Sequence, residues 1–588
     1  MLIAVVLFVA LFLDQNVAQN PCVVKFDSTS YGVGVSNETF TKVPYCVYLG
    51  VRYAEAPIGS LRFKNPILHN TTGPQNFTKP GNMCPQRIDM NKAVDIIGEE
   101  DCLFLNIYSP FVAGNGSSGD VKYPVLVFVH GGTFMAGSAL TDVEYGVDLL
   151  IDSGVLIVSI NYRLYTLGFL RYPALNITGN FGLKDQRTAL QWIQKNIKLF
   201  GGDPKRVTLM GQSAGAGSVT LHQYAESTQG LFHQIIALGG SMIAPWAIYR
   251  HPKTLADELS SRFNVTTIEQ LQAMNFKQFM FTDGFDTFGF FNMFYPGFIP
   301  TVETDDDPEP FITTSPHALV LTKPINEVPI MIEHTATEFE LLLHYADFYF
   351  MGNNFPNNDN KEQLKNVTKL LITKVRTLRD PNFFRKLANM ANLIYPIKRL
   401  LRHLAEQLDT TPVYYLRFEF DGRFGYYKNE YYKNKTSGSR YGAVHGDDLG
   451  YIFSPYILKD ALANRSEYRT EWKVHERTVE LVANFVKYGN PTPKKSKLSN
   501  ILWPAYNENF THPQFLNIDE SFEVRTDNNT EDAFFQFWEL IYQCLYYYEC
   551  DLEELEVEKA NVSKFDVTQR PIDITTTDVS DNILVDFE

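Results

Sequence analysis

A chain of 588 residues could divide into several domains on length alone, yet no linker or internal repeat interrupts it before the C-terminal tail, so one large domain is expected over residues 20–548. The formal net charge of −15, with no basic cluster, argues against a nucleic-acid partner, and no glycine-rich phosphate loop is present.

The first element is the apolar run Met1–Leu13, too short to span a bilayer comfortably and followed by polar residues Asp14 to Asn20. It reads as a signal peptide over residues 1–19, cut near Ala18 or Gln19; because a basic leading segment is missing, an uncleaved anchor is the alternative. A secreted, extracellular protein is expected. Asn-X-Ser/Thr sequons at Asn37, Asn70, Asn76, Asn115, Asn176, Asn264, Asn366, Asn434, Asn464, Asn509, Asn528 and Asn561 support that expectation independently. Six cysteines in an oxidising compartment should pair, and six allow 15 connectivities.

Further along, Val125–His130 reads as a strand running into Gly131-Gly132-Thr133-Phe134. The strand-like Val155–Ile160 and the helical stretch Asp185–Leu199, ended by Gly201-Gly202-Asp203-Pro204, alternate in the manner of an α/β domain with a mostly parallel sheet flanked by helices. Arg206–Gly215 then reads as a buried strand breaking at Gly211 into a helix, with Ser213 at the tip of the turn. This is the Gly-x-Ser-x-Gly nucleophile elbow, which lifts a hydroxyl above a sheet edge. Val328–Ile332 is a short apolar strand, and the loop after it ends in the carboxylate of Glu338. His445 follows on a glycine-flanked loop before the apolar Leu449–Phe453. A serine, an acid and a histidine in that order, each on a loop, are what nucleophilic catalysis on such a sheet requires. The tail Glu549–Glu588 carries 12 acidic and 3 basic residues and is expected to be a disordered extension. It ends in neither an apolar nor a retention signal, so no integral membrane segment is expected once the signal is removed. Tyr546, Tyr547 and Tyr548 border it as candidates for sulfation, with packing at a helix end as the alternative.

On these motifs the chain resembles the type-B carboxylesterase and cholinesterase family. The likeness extends through Tyr53–Phe63, Glu100–Tyr108, Asn161–Leu164, Gly182–Gln186, Gly239–Trp246 and Phe298–Glu303, and covers residues 25 to 545. It implies an α/β-hydrolase fold and a serine carboxylesterase in which Ser213 attacks, His445 relays the proton and Glu338 orients the imidazole. Backbone N–H groups of Gly132, Thr133 and Ala214 would form the oxyanion hole, Trp246, Phe294 and Phe298 would line the acyl pocket and gorge, and neither metal nor cofactor is required. The resemblance also pairs Cys84 with Cys102. For the remaining cysteines the expected pairs are Cys22–Cys46 and Cys544–Cys550, with a free or intermolecular thiol as the alternative to the last. Residues 85–98 between Cys84 and Cys102 contain no tryptophan to hold a quaternary ammonium, which argues against choline esters. The aromatic cluster from Phe288 to Phe298 points to small hydrophobic, uncharged esters.

Two residues depart from the family pattern. Thr133 stands where a glycine or alanine is usual, and its branched Cβ would stiffen the loop and narrow the acyl pocket. Glu333 stands where glycine is usual; with His334 it is expected to be solvated on the loop, the alternative being that it shares a proton with Glu338. Asp185 and Asp448 are expected to serve loop architecture. Gln212, beside the serine, is similar to insect juvenile hormone esterases. The competing reading is a catalytically weak or inactive secreted adhesion or interaction protein like glutactin, neurotactin or the neuroligins, which share the family and generally lose the serine or histidine.

Overall fold

The computed structural model describes residues 22–87, 96–112, 122–140, 146–250, 252–280, 297–338, 389–425, 427–428, 442–509, 511–527, 535 and 539. The expected signal peptide, the acidic tail, Cys544, Cys550, Tyr546–Tyr548 and Phe294 lie outside them, as do the sequons at Asn115, Asn366, Asn434, Asn528 and Asn561.

Runs such as Val-Leu-Val-Phe-Val are apolar at every position because a strand inside a sheet covered on both faces has no solvent side. Among the described residues eleven strands form the central sheet: β1 (Val35–Glu38), β2 (Pro44–Arg52), β3 (Phe104–Ser109), β4 (Tyr123–Val129), β5 (Leu156–Ile160), β6 (Gly202–Gln212), β7 (Gln234–Leu238), β8 (Ile330–Thr335), β9 (Val413–Phe418), β10 (Gln514–Ile518) and β11 (Phe522–Thr526). Their spatial order is β11-β10-β9-β8-β7-β6-β4-β5-β3-β2-β1. From β10 to β5 every neighbouring pair is parallel, and both flanks are antiparallel.

Alternate residues of one strand feed opposite cores. Val125, Val127 and Val129 of β4 join the cluster that contains Trp192 and Ile193 of α1 (Phe181–Asn196), Val219 and Leu221 of α2 (Ala214–Tyr224) and Leu400 and Leu404 of α3 (Tyr395–Gln407). Leu126 and Phe128 face the other way, onto α4 (Leu449–Ile452) and the Val479, Val482 and Phe485 side of α5 (Arg469–Tyr488). Every interior strand therefore has a helix layer on each side, which is the α/β-hydrolase arrangement. Gly201, at φ 86°, ends the turn that follows α1 and lets the chain enter β6 at once.

Among the described residues two disulfides, Cys22–Cys46 and Cys84–Cys102, close loops on the antiparallel side. The asparagines of all seven described sequons, Asn37, Asn70, Asn76, Asn176, Asn264, Asn464 and Asn509, are exposed. Among the described residues no helix is long and apolar enough to cross a membrane.

Candidate active site

Only Ser213 separates β6 from α2, and it takes φ 57° and ψ −119°, a conformation that costs a non-glycine residue of order 1–3 kcal/mol. The strand runs through Gln212, so the break falls at Ser213 and not at Gly211 as the sequence predicts. What holds the turn is close backbone contact. A Cβ on Gly211 would sit 2.2 Å from the carbonyl oxygen of Gly215, and one on Gly215 would sit 2.1 Å from that of Val129. The Ser213 N–H donates to Leu238 O at 2.8 Å, which pins the elbow to the end of β7. As the first residue of α2, Ala214 has a main-chain N–H with no acceptor in its own helix.

The loop after β4 is equally strained. Gly132, Thr133 and Phe134 have φ of 95°, 53° and 62° in succession, and a branched residue such as Thr133 rarely adopts that region. Phe134 is buried edge-on against Phe169, and Met135 and Ala136 both donate to Gly132 O. Gln86 completes the support: it accepts from the Gly137 N–H and donates to the Gly137 carbonyl, both at 2.9 Å. Two residues beyond Cys84, it ties the disulfide loop to the loop carrying the Gly132 and Thr133 amides. Nothing in the sequence marked Gln86, since the pairing is tertiary. The N–H groups of Gly132 and Thr133 have no main-chain acceptor among the described residues.

Glu338 and His445 are brought together by a zipper between their loops, in which the Thr337 N–H and Oγ1 both donate to Ala443 O at 2.9 Å. His445 Nδ1 bonds Glu338 Oε2, and Glu338 Oε1 accepts from the Thr335 N–H at 2.6 Å. On the other side of the ring, Gln212 Nε2 donates to His445 Nε2 at 3.2 Å. An amide nitrogen only donates, so Nε2 is the acceptor and Nδ1 carries the proton given to Glu338. Burial alone would raise the Glu338 pKa, but the His445 charge and hydrogen bond and the Thr335 N–H bring it below the ordinary carboxylate value. Burial alone would lower the His445 pKa, but the Glu338 charge and hydrogen bond, with Asp448 and Asp447 behind, lift it above the ordinary value. The pair is an imidazole held ready to take up a proton.

Two expectations are corrected here. Glu333 and His334 are not solvated loop residues: β8 continues to Thr335, and both side chains are buried. The period of two sends Met331 and Glu333 to the α5 face and Ile332 and His334 to the other. His334 is satisfied there by Tyr415 OH (2.6 Å) and Thr335 O (2.8 Å), and burial pushes its pKa down to about 3. Among the described residues neither carboxyl oxygen of Glu333 has a partner in hydrogen-bond geometry, and the nearby Gly239 N–H lowers its pKa only against the larger effect of burial. Of the two aspartates expected to serve architecture, Asp185 does so, taking three hydrogen bonds from Arg163. Asp448 does not. Its neighbour Asp447 holds the histidine loop by accepting from the Val444 and Lys428 N–H groups, while Asp448 Oδ2 is unpartnered. Trp246 is buried with its indole N–H on Asn392 O (3.0 Å), and Phe298 packs edge-on against Tyr165.

A strained serine at the carboxyl end of the sheet, beside a carboxylate–imidazole pair and free main-chain amides, defines an α/β-hydrolase. Residues 28–538 match the Carboxylesterase family, and the chain belongs to it. It is 31% identical over 519 residues to Esterase E4 of Myzus persicae, covering 82% of this chain and 89% of that one. It is 28% identical to a juvenile hormone esterase of Tribolium castaneum (83% and 87% covered) and 28% identical to a cholinesterase of Mus musculus (87% and 85%). Its fold matches the crystal structure of juvenile hormone esterase from Manduca sexta, solved with OTFP covalently attached, with a TM-score of 0.74 at 24% identity (89% and 99% covered). The protein is therefore an ester hydrolase by family.

Proposed function

We propose that the protein is a secreted, glycosylated serine carboxylesterase acting on small hydrophobic, uncharged carboxylic esters. Ser213 Oγ attacks the ester carbonyl, and His445 Nε2 takes its proton and returns it to the leaving alcohol. Glu338 keeps the imidazole in the required tautomer and stabilises its charged form. Main-chain N–H groups of Gly132, Thr133 and Ala214 receive the oxyanion, each worth ~2.7–4 kcal/mol in such sites. Water then cleaves the acyl-enzyme. The observation that carries this reading is the bond from His445 Nδ1 to Glu338, which leaves Nε2 as the acceptor. Buried Trp246 and Phe298, together with the lack of a tryptophan over residues 85–98, support apolar acyl groups over choline esters. The exposed sequons support passage through the secretory route.

One observation favours the competing reading of a catalytically weak interaction protein: Nε2 is hydrogen-bonded to Gln212. Hydrolysis of nitrophenyl esters from acetate to octanoate by the secreted chain separates the two. The esterase reading expects turnover that falls on the order of 10⁶-fold in Ser213→Ala and stops after organophosphate labelling. Wild type no faster than Ser213→Ala, and unlabelled, sinks it.

A further inference from the structure

Gln212 is the last residue of β6, next to Ser213, and it is 1% exposed. Its side chain lies between the two halves of the site. The amide Oε1 rests against Gly131 of the loop after β4, where a Cβ would be 2.6 Å from it, and Nε2 rests against Gly446 of the histidine loop, where a Cβ would be 3.4 Å away. From this slot Gln212 Nε2 reaches His445 Nε2 at 3.2 Å, while the other ring nitrogen is committed to Glu338. The Nε2 of a neutral imidazole has one lone pair, and that lone pair is the one that must receive the serine proton. Ser213, one residue from the amide that reaches the ring, makes no side-chain hydrogen bond among the described residues.

We propose that Gln212 is a positioning residue that latches the resting base: it occupies His445 Nε2 until an ester is bound, and the Ser213 hydroxyl must displace it before acylation. The inference rests on the esterase reading above. In the displacement the bond from Gln212 N–H to Nε2 breaks and one from Ser213 O–H to Nε2 forms. The proton then passes from Oγ to Nε2 as Oγ attacks the carbonyl, and Gln212 neither gains nor loses a proton. A donor on Nε2 also favours the neutral ring over the charged one, because a protonated nitrogen cannot accept. The latch therefore opposes both the contact between serine and histidine and the uptake of the proton. The charged groups facing the ring come from elsewhere: Glu338 from the loop after β8, and Asp447 and Asp448 from the histidine loop, with Lys428 paired to Asp447. β6 and the elbow contribute the uncharged Gln212 and Ser213, and the end of β7 contributes Gly239, where a Cβ would be 3.1 Å from His445 Nδ1. Replacing Gln212 by an apolar residue thus alters the ring's hydrogen bonding without altering any charge around it.

The test is the rate of organophosphate labelling of Ser213, and kcat/KM against pH with a nitrophenyl ester, for the full chain and for Gln212→Met and Gln212→Leu, each checked by thermal unfolding. Both variants fill the slot and neither can donate. Labelling about 3- to 10-fold faster than wild type, with the acidic limb of kcat/KM about half to one pH unit higher, is expected from the loss of one hydrogen bond to the neutral ring. A role in packing alone would lower the unfolding temperature and leave the limb in place. In a variant that folds, a limb unmoved or moved down, or labelling no faster than wild type, overturns the proposal. A crystal structure of the unreacted full chain needs no variant: Gln212 Nε2 on His445 Nε2 upholds the latch, and Ser213 Oγ there in its place overturns it. Wild type labelled at the same rate as the variants sinks the latch alone, whereas wild type and variants all unlabelled sink the esterase reading and the latch with it.

Discussion

The two halves of the site are held by different physics. The serine half, β4, β6 and their loops, is positioned by backbone sterics: Gly211 and Gly215 admit main-chain atoms within 2.2 Å of where a Cβ would be, and five residues on its two turns, counting Gly132, have positive φ. Those five are Gly132, Thr133, Phe134, Gly137 and Ser213. The acid–base half, at the end of β8 and on the histidine loop, is positioned by charge, with Glu338, Asp447 and Asp448 buried around one imidazole and Glu333 buried beside Glu338 and Asp448. Steric positioning is indifferent to pH and salt; positioning by buried charge is not. On the proposed esterase reading, activity should be lost on the serine side to substitutions that add a carbon atom, and on the histidine side to substitutions or conditions that change a proton.

The sharpest break on the charge side is Glu338→Gln, which preserves shape but removes the charge and the acceptor that sets the imidazole tautomer. A fall in kcat of about 10⁴-fold with an unchanged unfolding temperature is expected, as in other triads that lose their acid. A fall below tenfold would mean that Glu338 does not orient His445. On the steric side, Gly215→Ala puts a methyl 2.1 Å from Val129 O, and a loss of about 3 kcal/mol or more in denaturant unfolding is expected. A neutral Gly215→Ala would remove the steric argument for the elbow. Gln86→Ala deletes the clamp on Gly137 without touching substrate; a loss of about 10- to 100-fold in kcat at little change in KM is expected from a displaced amide loop. If KM alone changes, Gln86 shapes entry to the site rather than the oxyanion loop.

The smallest expected effect is on stability against pH. Burial holds His130 and His475 down at about 4 and His222 and His334 at about 3, below the unfolded value of 6.5. Between those values these histidines bind more protons in the unfolded chain than in the folded one, so their contribution to stability is complete above pH 6.5 and falls as pH drops toward 4. Replacing His475 by glutamine should flatten that fall in a urea titration, and an unchanged slope would show that His475 does not contribute to it.

The parts legible in the sequence were those in which one local pattern carries the whole cause. The elbow is such a pattern, because the glycines that relieve the clash are two residues to either side of Ser213. Continuous apolar runs gave the interior strands, since burial on both faces leaves no other composition. Less legible was where a strand ends when its pattern is interrupted by charge: Glu333 and His334 looked like loop because a carboxylate facing a hydrophobic core is rarely favoured, yet pairing with β7 and β9 carries β8 through both. Asp447 and Asp448 are adjacent and chemically alike, so no local signal could say that the first would hold the loop with both carboxyl oxygens and the second would leave its Oδ2 without a hydrogen bond.

Chain order and local sterics by themselves determined the family, the fold and the identity of Ser213, Glu338 and His445 as candidates, because each is signalled within a few residues of itself. Only the tertiary structure decided what surrounds them. Gln86 is 51 residues from Gly137, and Gln212 is 233 residues from His445. The slot that holds the Gln212 amide between Gly131 and Gly446 exists only once a strand and two loops have packed. Electrostatic environment depends on which distant groups are excluded from water together, and that is settled by packing, not by neighbours along the chain.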